Sequence, residues 1–149
     1  MLRRVAAIVV MAGMGMTGEA RAEVSCHTIN ARGVGQDLGG GATEAEINGG
    51  GLLEGTTAAQ FTITDFSGTV ASFAGTVTFT TNLATLVVTV TGTLDVVSGE
   101  FSASGPVTAA TGKLEGATGS LSITGVQDLA TGTFEEDVTG EICVDLSPR

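Results

Sequence analysis

The sequence predicts an all-β protein, a small antiparallel eight-stranded barrel closed by a disulfide between its terminal strands. Three observations predict this fold. From about residue 57 to 146, short segments alternate apolar with small polar side chains, glycine-marked turns separate the segments, and one cysteine lies near each end. Alternation with a period of two places every second side chain on one face of a strand, so each segment can be buried on one side and solvated on the other.

The first 22 residues have the pattern of a secretory signal peptide. Two arginines near the start precede an apolar run over residues 5–16, and residues 20–22 supply small side chains suited to cleavage. The apolar run is shorter than the roughly 20 residues of a membrane-spanning helix, and Glu23 disfavours a lipoprotein signal, although a retained anchor is the alternative. We expect residues 1–22 to be a signal peptide and residues 23–149 a single β-barrel domain that is secreted or periplasmic.

The charge balance argues against several partners. Cleavage after residue 22 removes three of the six basic residues and one of the sixteen acidic residues, which leaves a net charge of −12. Only Arg32, Lys113 and Arg149 remain as cations, too few to neutralise phosphates. We therefore expect no nucleic acid partner and no membrane insertion of the mature chain. High negative charge keeps a strand-rich protein soluble.

The two cysteines predict a disulfide. Cys26 and Cys143 form an even pair in a chain with a secretory leader, which favours pairing in an oxidising compartment. Their bond closes a loop of residues 26–143. His27 is the single histidine, and a metal site needs more ligands than it and a neighbouring cysteine supply. We expect no metal and no cofactor.

Eight strand candidates follow in order along the chain. The clearest is the fifth, where Leu86 and Val88 share one face and Thr89 lies on the other; β-branched residues favour pleated structure. Turn signals at Ser98-Gly99 and Thr131-Gly132 suit tight hairpins. The candidates span residues 24–31, 45–54 (with a glycine interruption), 57–66, 70–81, 84–97, 100–105, 120–127 and 131–144.

Eight short strands fit a barrel or a sandwich, and two features favour the barrel. A disulfide between first and last strands suits closure, which removes exposed edges, and abundant glycine suits the bends of a small barrel. An outer-membrane barrel is disfavoured because the chain has no Trp or Tyr for aromatic girdles. The bulky inward candidates are Phe61, Ile63, Phe73, Val77, Phe79, Phe101, Leu121, Ile123, Phe134 and Ile142.

Residues 105–119, GPVTAATGKLEGATG, resemble a glycine-rich stretch of the allene oxide cyclase and dirigent-like barrels. In those families this stretch precedes a strand pair near the end of the barrel, so the resemblance covers residues 105–146. Ala109 and Ala110 stand where the families tend to have paired glycines. The resemblance implies an eight-stranded barrel with a hydrophobic cavity, often trimeric, that acts on or orients a small apolar molecule. It carries no catalytic residue across.

Three polar residues lie in phase with the apolar face of their strands: Glu136, Gln127 and Asp65. We expect them to be polar groups of the barrel lumen. A buried carboxylate without a nearby cation has a raised pKa and can act as a general acid or base, so Glu136 is the candidate catalytic residue. The alternative is that each lies near a strand end, or beside a bulge that reverses the phase, and is solvated.

Three functions remain open from the sequence. The first is a non-enzymatic barrel, structural or binding a small apolar ligand, with a homo-oligomer such as a trimer implied by the resemblance. The second is an isomerase of the allene oxide cyclase or dirigent type that uses an interior carboxylate. The third is adhesion to ice or polysaccharide through Thr-x-Thr pairs on the outer face, at Thr62/Thr64, Thr76/Thr78/Thr80, Thr89/Thr91/Thr93 and Thr131/Thr133.

Overall fold

The computed structural model describes residues 23–49 and 51–147, so the expected signal peptide lies outside the described residues. Within them, eight β-strands form a closed antiparallel barrel in which each strand pairs with the next and the last pairs with the first. The strands are β1 Ser25–Gly39, β2 Ala42–Asn48, β3 Gly55–Ser67, β4 Val70–Thr81, β5 Thr85–Asp95, β6 Glu100–Ala110, β7 Thr118–Gln127 and β8 Thr133–Val144.

Strands β1 and β8 close the barrel. Their antiparallel register runs without interruption from the pair Ser25 and Val144 to the pair Gln36 and Thr133. Cys26 lies directly opposite Cys143, their Cα atoms are 3.9 Å apart, and the two are joined by a disulfide. The predicted fold class is therefore confirmed: an all-β eight-stranded barrel with a disulfide between its terminal strands.

Two strands are longer than the sequence predicts. β1 continues from Ala31 to Gly39, and β6 continues beyond Gly105 to Ala110. In β1, glycines at 33 and 35 interrupt the apolar alternation, yet the backbone stays in the ladder and pairs with β2 and β8. A strand continues as long as its backbone groups find hydrogen-bond partners, whatever its side chains are. A prediction based only on the alternation of side chains therefore makes such a strand too short.

The two ends of the barrel differ. At one end, which we call the hairpin end, short turns at residues 40–41, 68–69, 96–99 and 128–132 join consecutive strands. The opposite, terminal end carries the disulfide and two 3₁₀ helices, Gly51–Leu53 and Gly112–Leu114. Leu53 and Leu114 are fully buried in the core cluster. Neither helix, nor any other in the described residues, has the length and apolar character that a membrane crossing requires.

Two turns at the hairpin end share one construction. Oδ1 of Asp95 accepts hydrogen bonds from the backbone N–H groups two and three residues on, at 2.8 and 3.1 Å, and Asp128 does the same at 2.9 and 3.3 Å. The N–H of Gly99 or Gly132 then donates to the carbonyl of that aspartate. Both glycines have φ near +80° (82° and 83°), a conformation that favours glycine. The backbone hydrogen bonds lower the pKa of Asp95.

The core occupies the barrel interior and the terminal end. Its buried side chains come from seven strands and both 3₁₀ helices, and Ala59 and Phe61 of β3 pack against them, which gives one contiguous apolar cluster. The largest fully buried members are Phe79, Ile29, Ile47, Leu53, Leu86, Leu114, Leu121, Ile142, Val88, Val90, Val138 and Val144. Because this cluster fills the terminal end, any interior space is left toward the hairpin end.

Candidate functional site

A cavity of about 170 Å³ lies in the lumen toward the hairpin end. Some of the lining side chains keep partial exposure, up to 50% for Ile63, whereas others such as Val77 and Ile123 are buried members of the core. The cavity is therefore accessible from the hairpin end and closed by the core at the other. Its lining is Asp37, Gly41, Thr43, Thr57, Ala59, Phe61, Ile63, Phe73, Val77, Leu94, Phe101, Ala103, Ile123, Gln127, Phe134 and Glu136.

Four phenylalanines give the lining its aromatic character. Phe61 and Phe73 come from adjacent strands and meet edge to face, with ring centroids 5.0 Å apart. Phe101 and Phe134 also meet edge to face, with centroids 6.0 Å apart, although β7 lies between their strands. Edge-to-face pairs add about 0.5–1.5 kcal/mol beyond area burial, so the two pairs hold the walls of the cavity in place.

Glycines on neighbouring strands make room for the large inward side chains. Gly125 of β7 lies between the strands of Phe101 and Phe134, and a methyl group there would come within 2.7 Å of Cζ of Phe101. A methyl group at Gly35 would overlap the ring of Phe134. The rings of Phe101 and Phe134 therefore pack directly on the backbone of glycine residues. This packing explains why β1 and β7 have glycine at positions where the alternation predicts an apolar residue.

Glu136 is a half-buried acid in this apolar lining. It pairs with Gly33 of β1 on one side and Gly125 of β7 on the other. A methyl group at Gly33 would lie 2.6 Å from Oε2 of Glu136 and 2.7 Å from its Cγ, so the side chain lies over the bare backbone of β1. Burial raises the pKa of Glu136 from 4.5 to about 7, because the charged form loses water contacts.

The acids on either side of Glu136 face outward. Arg32 on the outer face of β1 forms ion pairs with Glu135 at 3.4 Å and with Asp137 at 3.6 Å, and all three side chains are well exposed. The alternation along β8 therefore separates the three consecutive acids, and Arg32 lies on the outer face while Glu136 lies in the lumen. Within the described residues, no cation pairs with Glu136, and burial is the cause of its shifted pKa.

Asp37 and Gln127 form a polar bridge at the mouth of the cavity. Nε2 of Gln127 on β7 donates a hydrogen bond to Oδ2 of Asp37 on β1 at 3.1 Å, across the end of β8. The backbone N–H of Gly39 donates to the other carboxylate oxygen at 2.8 Å. The bridge links two strands that are not neighbours in the sheet, and both side chains belong to the cavity lining.

The structure thus places Glu136 and Gln127 in the cavity lining, but Asp65 lies outside it. A register shift between Ile63 and Asp65 explains the difference. Ile63 pairs with Phe73 of the lining, whereas Asp65 pairs with Ser72, the residue next to it on the opposite face of β4. Asp65 is exposed. The bulge reverses the phase of the strand, and the expectation that Asp65 faces the lumen is therefore wrong.

Apolar side chains are exposed around the mouth. Exposed large hydrophobic residues lie in or beside all four turns of the hairpin end, at Leu38, Phe66, Val96, Val97 and Leu129. Single exposed apolar residues are ordinary, but several at one end of a barrel form an apolar rim. These residues (Leu38, Phe66, Val96, Val97 and Leu129), which we call the rim, lie at the end of the barrel onto which the cavity opens.

One cluster of three potential metal ligands lies at the terminal end among the described residues: Cys26, Cys143 and Glu141. Both sulfur atoms belong to the disulfide, and metal binding requires thiolates. The cluster is therefore unsuited to a metal while the disulfide is intact.

The threonines of β4 and β5 lie on the outer surface in register. Thr76 pairs with Thr89, and Thr80 pairs with Thr85. The threonine surface extends to β6, where the hydroxyl groups of Thr89 on β5 and Thr108 on β6 are hydrogen-bonded at 2.8 Å. The sheet that carries these rows is a closed, curved barrel, whereas an adhesive threonine array works as a flat surface. Adhesion through this face stays a prediction.

Comparisons of the chain with protein-family models, with curated proteins and with solved structures found no match. The resemblance to the allene oxide cyclase and dirigent barrels therefore stays a prediction, and the function is argued from the cavity itself. Sequence reasoning missed Asp37 in this cavity because it ended the first strand at Ala31. Continuing the alternation of β1 from Ile29 through 31, 33 and 35 places Asp37 on the inner face.

Proposed function

We propose that this β-barrel binds a small apolar molecule in its lumen. The cavity of about 170 Å³ carries the proposal. An enclosed apolar cavity of about 150 Å³ is known to stay dry and to take up benzene, so a molecule with one or two rings fits this volume. Small-molecule sites are typically concave and mostly apolar with a few placed polar groups. The phenylalanine walls with Glu136, Asp37 and Gln127 have that composition.

The rim supports the same function. A ligand of low water solubility enters more readily across an apolar surface than across a charged one, because less polar hydration must be displaced. The rim supplies such a surface at the accessible end of the lumen. The core fills the terminal end, so the ligand enters and leaves past the rim.

Filling the cavity should abolish binding. Ala59 lines the cavity, and Ala59→Leu places additional apolar volume inside it. We expect saturable one-to-one binding of indole to the unmodified protein and at least tenfold weaker binding to this variant, since about 1.4 kcal/mol corresponds to a tenfold change. Indole fluorescence reports transfer into the lumen directly, because the chain contains no Trp and no Tyr.

Ala58→Leu is the matched control. Ala58 is the preceding residue of β3, is exposed and does not line the cavity. We expect this variant to bind indole as the unmodified protein does. Equal loss of binding in both variants, or unsaturable binding in all three proteins, contradicts a lumen site. Native mass spectrometry of the freshly purified protein gives an independent measurement through the mass of any molecule that co-purifies.

A second candidate function is proton transfer on a bound molecule, as in an isomerase. The observation that favours it is the Glu136 carboxyl in an apolar cavity, with its pKa raised to about 7. General acid–base catalysis is most efficient when the pKa of the catalytic group lies near the working pH. A carboxyl group of this kind can abstract a proton next to a carbonyl and return it elsewhere.

Hydrogen–deuterium exchange tests this candidate. We expect the protein to accelerate exchange of the protons next to the carbonyl of cyclohexanone in deuterium oxide, measured by mass spectrometry. Glu136→Gln should reduce the protein-dependent rate by at least 100-fold, in line with the contribution of general bases. Glu135→Gln, which makes the same glutamate-to-glutamine change on the outer face of the strand, should leave the rate unchanged. Equal rates in all three proteins would rule out a role for Glu136 in catalysis.

A further inference from the structure

We propose that the molecule recognised in the lumen is a small organic cation, an amine or quaternary ammonium group that carries apolar substituents. This inference rests on the proposed function and adds the chemical class of its ligand. Three features of the cavity carry it: the sign of its charges, the aromatic walls, and the position of Glu136 on bare backbone.

The charges of the lining are all negative. Among the described residues that line the cavity, only Asp37 and Glu136 are ionisable, and no Lys, Arg or His is present. The chain as a whole carries a formal net charge of −10, so the surrounding field also favours cations. An anionic ligand would enter the lumen against both the local and the overall charge.

The aromatic walls suit a cation as well as an apolar group. Phe61, Phe73, Phe101 and Phe134 surround the space beside the acids. The face of an aromatic ring is electronegative and attracts cations within about 6 Å of its centroid, an attraction that strengthens where water is excluded. This attraction is what aromatic cages use to bind quaternary ammonium groups. Walls of Leu and Ile would bind a neutral apolar molecule equally well without this preference.

Glu136 is positioned so that a ligand can supply the missing charge partner. Gly33 and Gly125 flank it in the sheet, so no side chain of the adjacent residues covers the carboxyl. Arg32 is engaged on the outer face by Glu135 and Asp137. A carboxylate held in an apolar site without a partner is destabilised in its charged form, and an ammonium group in the cavity would relieve that cost.

The pH dependence of binding follows from the groups around Glu136. On β1, Asp37 shares the lining and Arg32 faces outward. On β7 no residue is ionisable, and the remaining acids of β8 (Glu135, Asp137 and Glu141) are exposed. Asp37 and Glu136 are thus the groups whose charge a lumen ligand would meet. With a pKa of about 7 for Glu136, its ionised fraction falls about tenfold between pH 8 and pH 6, and amine binding should weaken by about the same factor.

A pair of ligands with one shape and different charge tests the inference. Cyclohexylamine stays protonated across this range, like the lysine side chain with its pKa of about 10.4, and cyclohexanol is its neutral counterpart. We measure binding of both by isothermal titration calorimetry to the unmodified protein, to Glu136→Gln and to Glu135→Gln, at about pH 8 and pH 6. We expect the amine to bind the unmodified protein at least tenfold more tightly than the alcohol at the higher pH.

The two variants distinguish an amine bound to Glu136 in the lumen from an amine attracted by the overall negative charge of the protein. Glu136→Gln should abolish the preference for the amine, whereas Glu135→Gln, with the same loss of charge on the outer face, should keep it. Equal binding of the two ligands, a preference that survives Glu136→Gln, or amine binding that does not weaken between about pH 8 and pH 6 would each overturn the cation inference while leaving the lumen site intact. Failure of both ligands to bind saturably would overturn the inference and the proposed function together.

Discussion

Replacing Cys26 and Cys143 together by serine is expected to lower the free energy of unfolding by about 4–5 kcal/mol. The disulfide joins residues 117 positions apart, and releasing so long a loop restores a large chain entropy to the unfolded state. That loss is a large part of the 5–15 kcal/mol of a typical domain. Urea unfolding followed by far-ultraviolet circular dichroism measures it, and the m-value should rise because the unfolded chain becomes more extended.

The double variant should nevertheless close its barrel under native conditions. The ladder between β1 and β8 extends from Ser25 to Gln36 and does not depend on the bond. The unmodified protein under a reducing agent is the natural control, because it should unfold at the same urea concentration as the variant. A stability loss below about 1 kcal/mol would show that the backbone ladder, rather than the covalent bond, holds the terminal strands in the unfolding equilibrium.

Alternation predicts the barrel well because it reports burial directly. β5 runs from Thr85 to Asp95, where the sequence predicts residues 84–97, and its apolar face forms part of the core. The same pattern fails where the inner face carries glycine, as at 33 and 35 of β1. Those two glycines face the interior because side chains of β8 lie over them. Since β1 and β8 are far apart in the sequence, the pattern of residues within β1 does not reveal this contact.

The candidate site was predictable only in part for the same reason. Glu136 and Gln127 follow the phase of their strands into the lumen, but a bulge before Asp65 reverses the phase of β3. A bulge is set by pairing with the neighbouring strand, so the sequence of β3 alone does not reveal it. The volume of the cavity is harder still to predict from the sequence. It depends on how the four phenylalanine rings pack against the glycines opposite them, and those residues come from segments that meet only when the barrel closes.

The contribution of Glu136 to the free energy of unfolding should fall as the pH rises from about 4.5 to 7, and Glu136→Gln should remove that fall. The pKa of Glu136 is raised from 4.5 to about 7 in the folded protein, so the folded state binds the proton more tightly than the unfolded state does. Below pH 4.5 the carboxyl group is protonated in both the folded and the unfolded state, and no stability is lost. Above the higher value both are ionised, and the folded state carries the full cost of a buried charge, about 3 kcal/mol at 1.36 kcal/mol per pKa unit.

The measurement is the difference in free energy of unfolding between Glu136→Gln and the unmodified protein, taken across pH so that the titration of other groups cancels. We expect the difference to be near zero at about pH 4 and the glutamine variant to be more stable by about 3 kcal/mol at about pH 8. Glu135→Gln should show no such trend, because that side chain is exposed and paired with Arg32. A difference for Glu136→Gln that does not change with pH would mean that the carboxyl is solvated in the folded state. The acid would then lack the buried, unpaired charge from which its role in the lumen is argued.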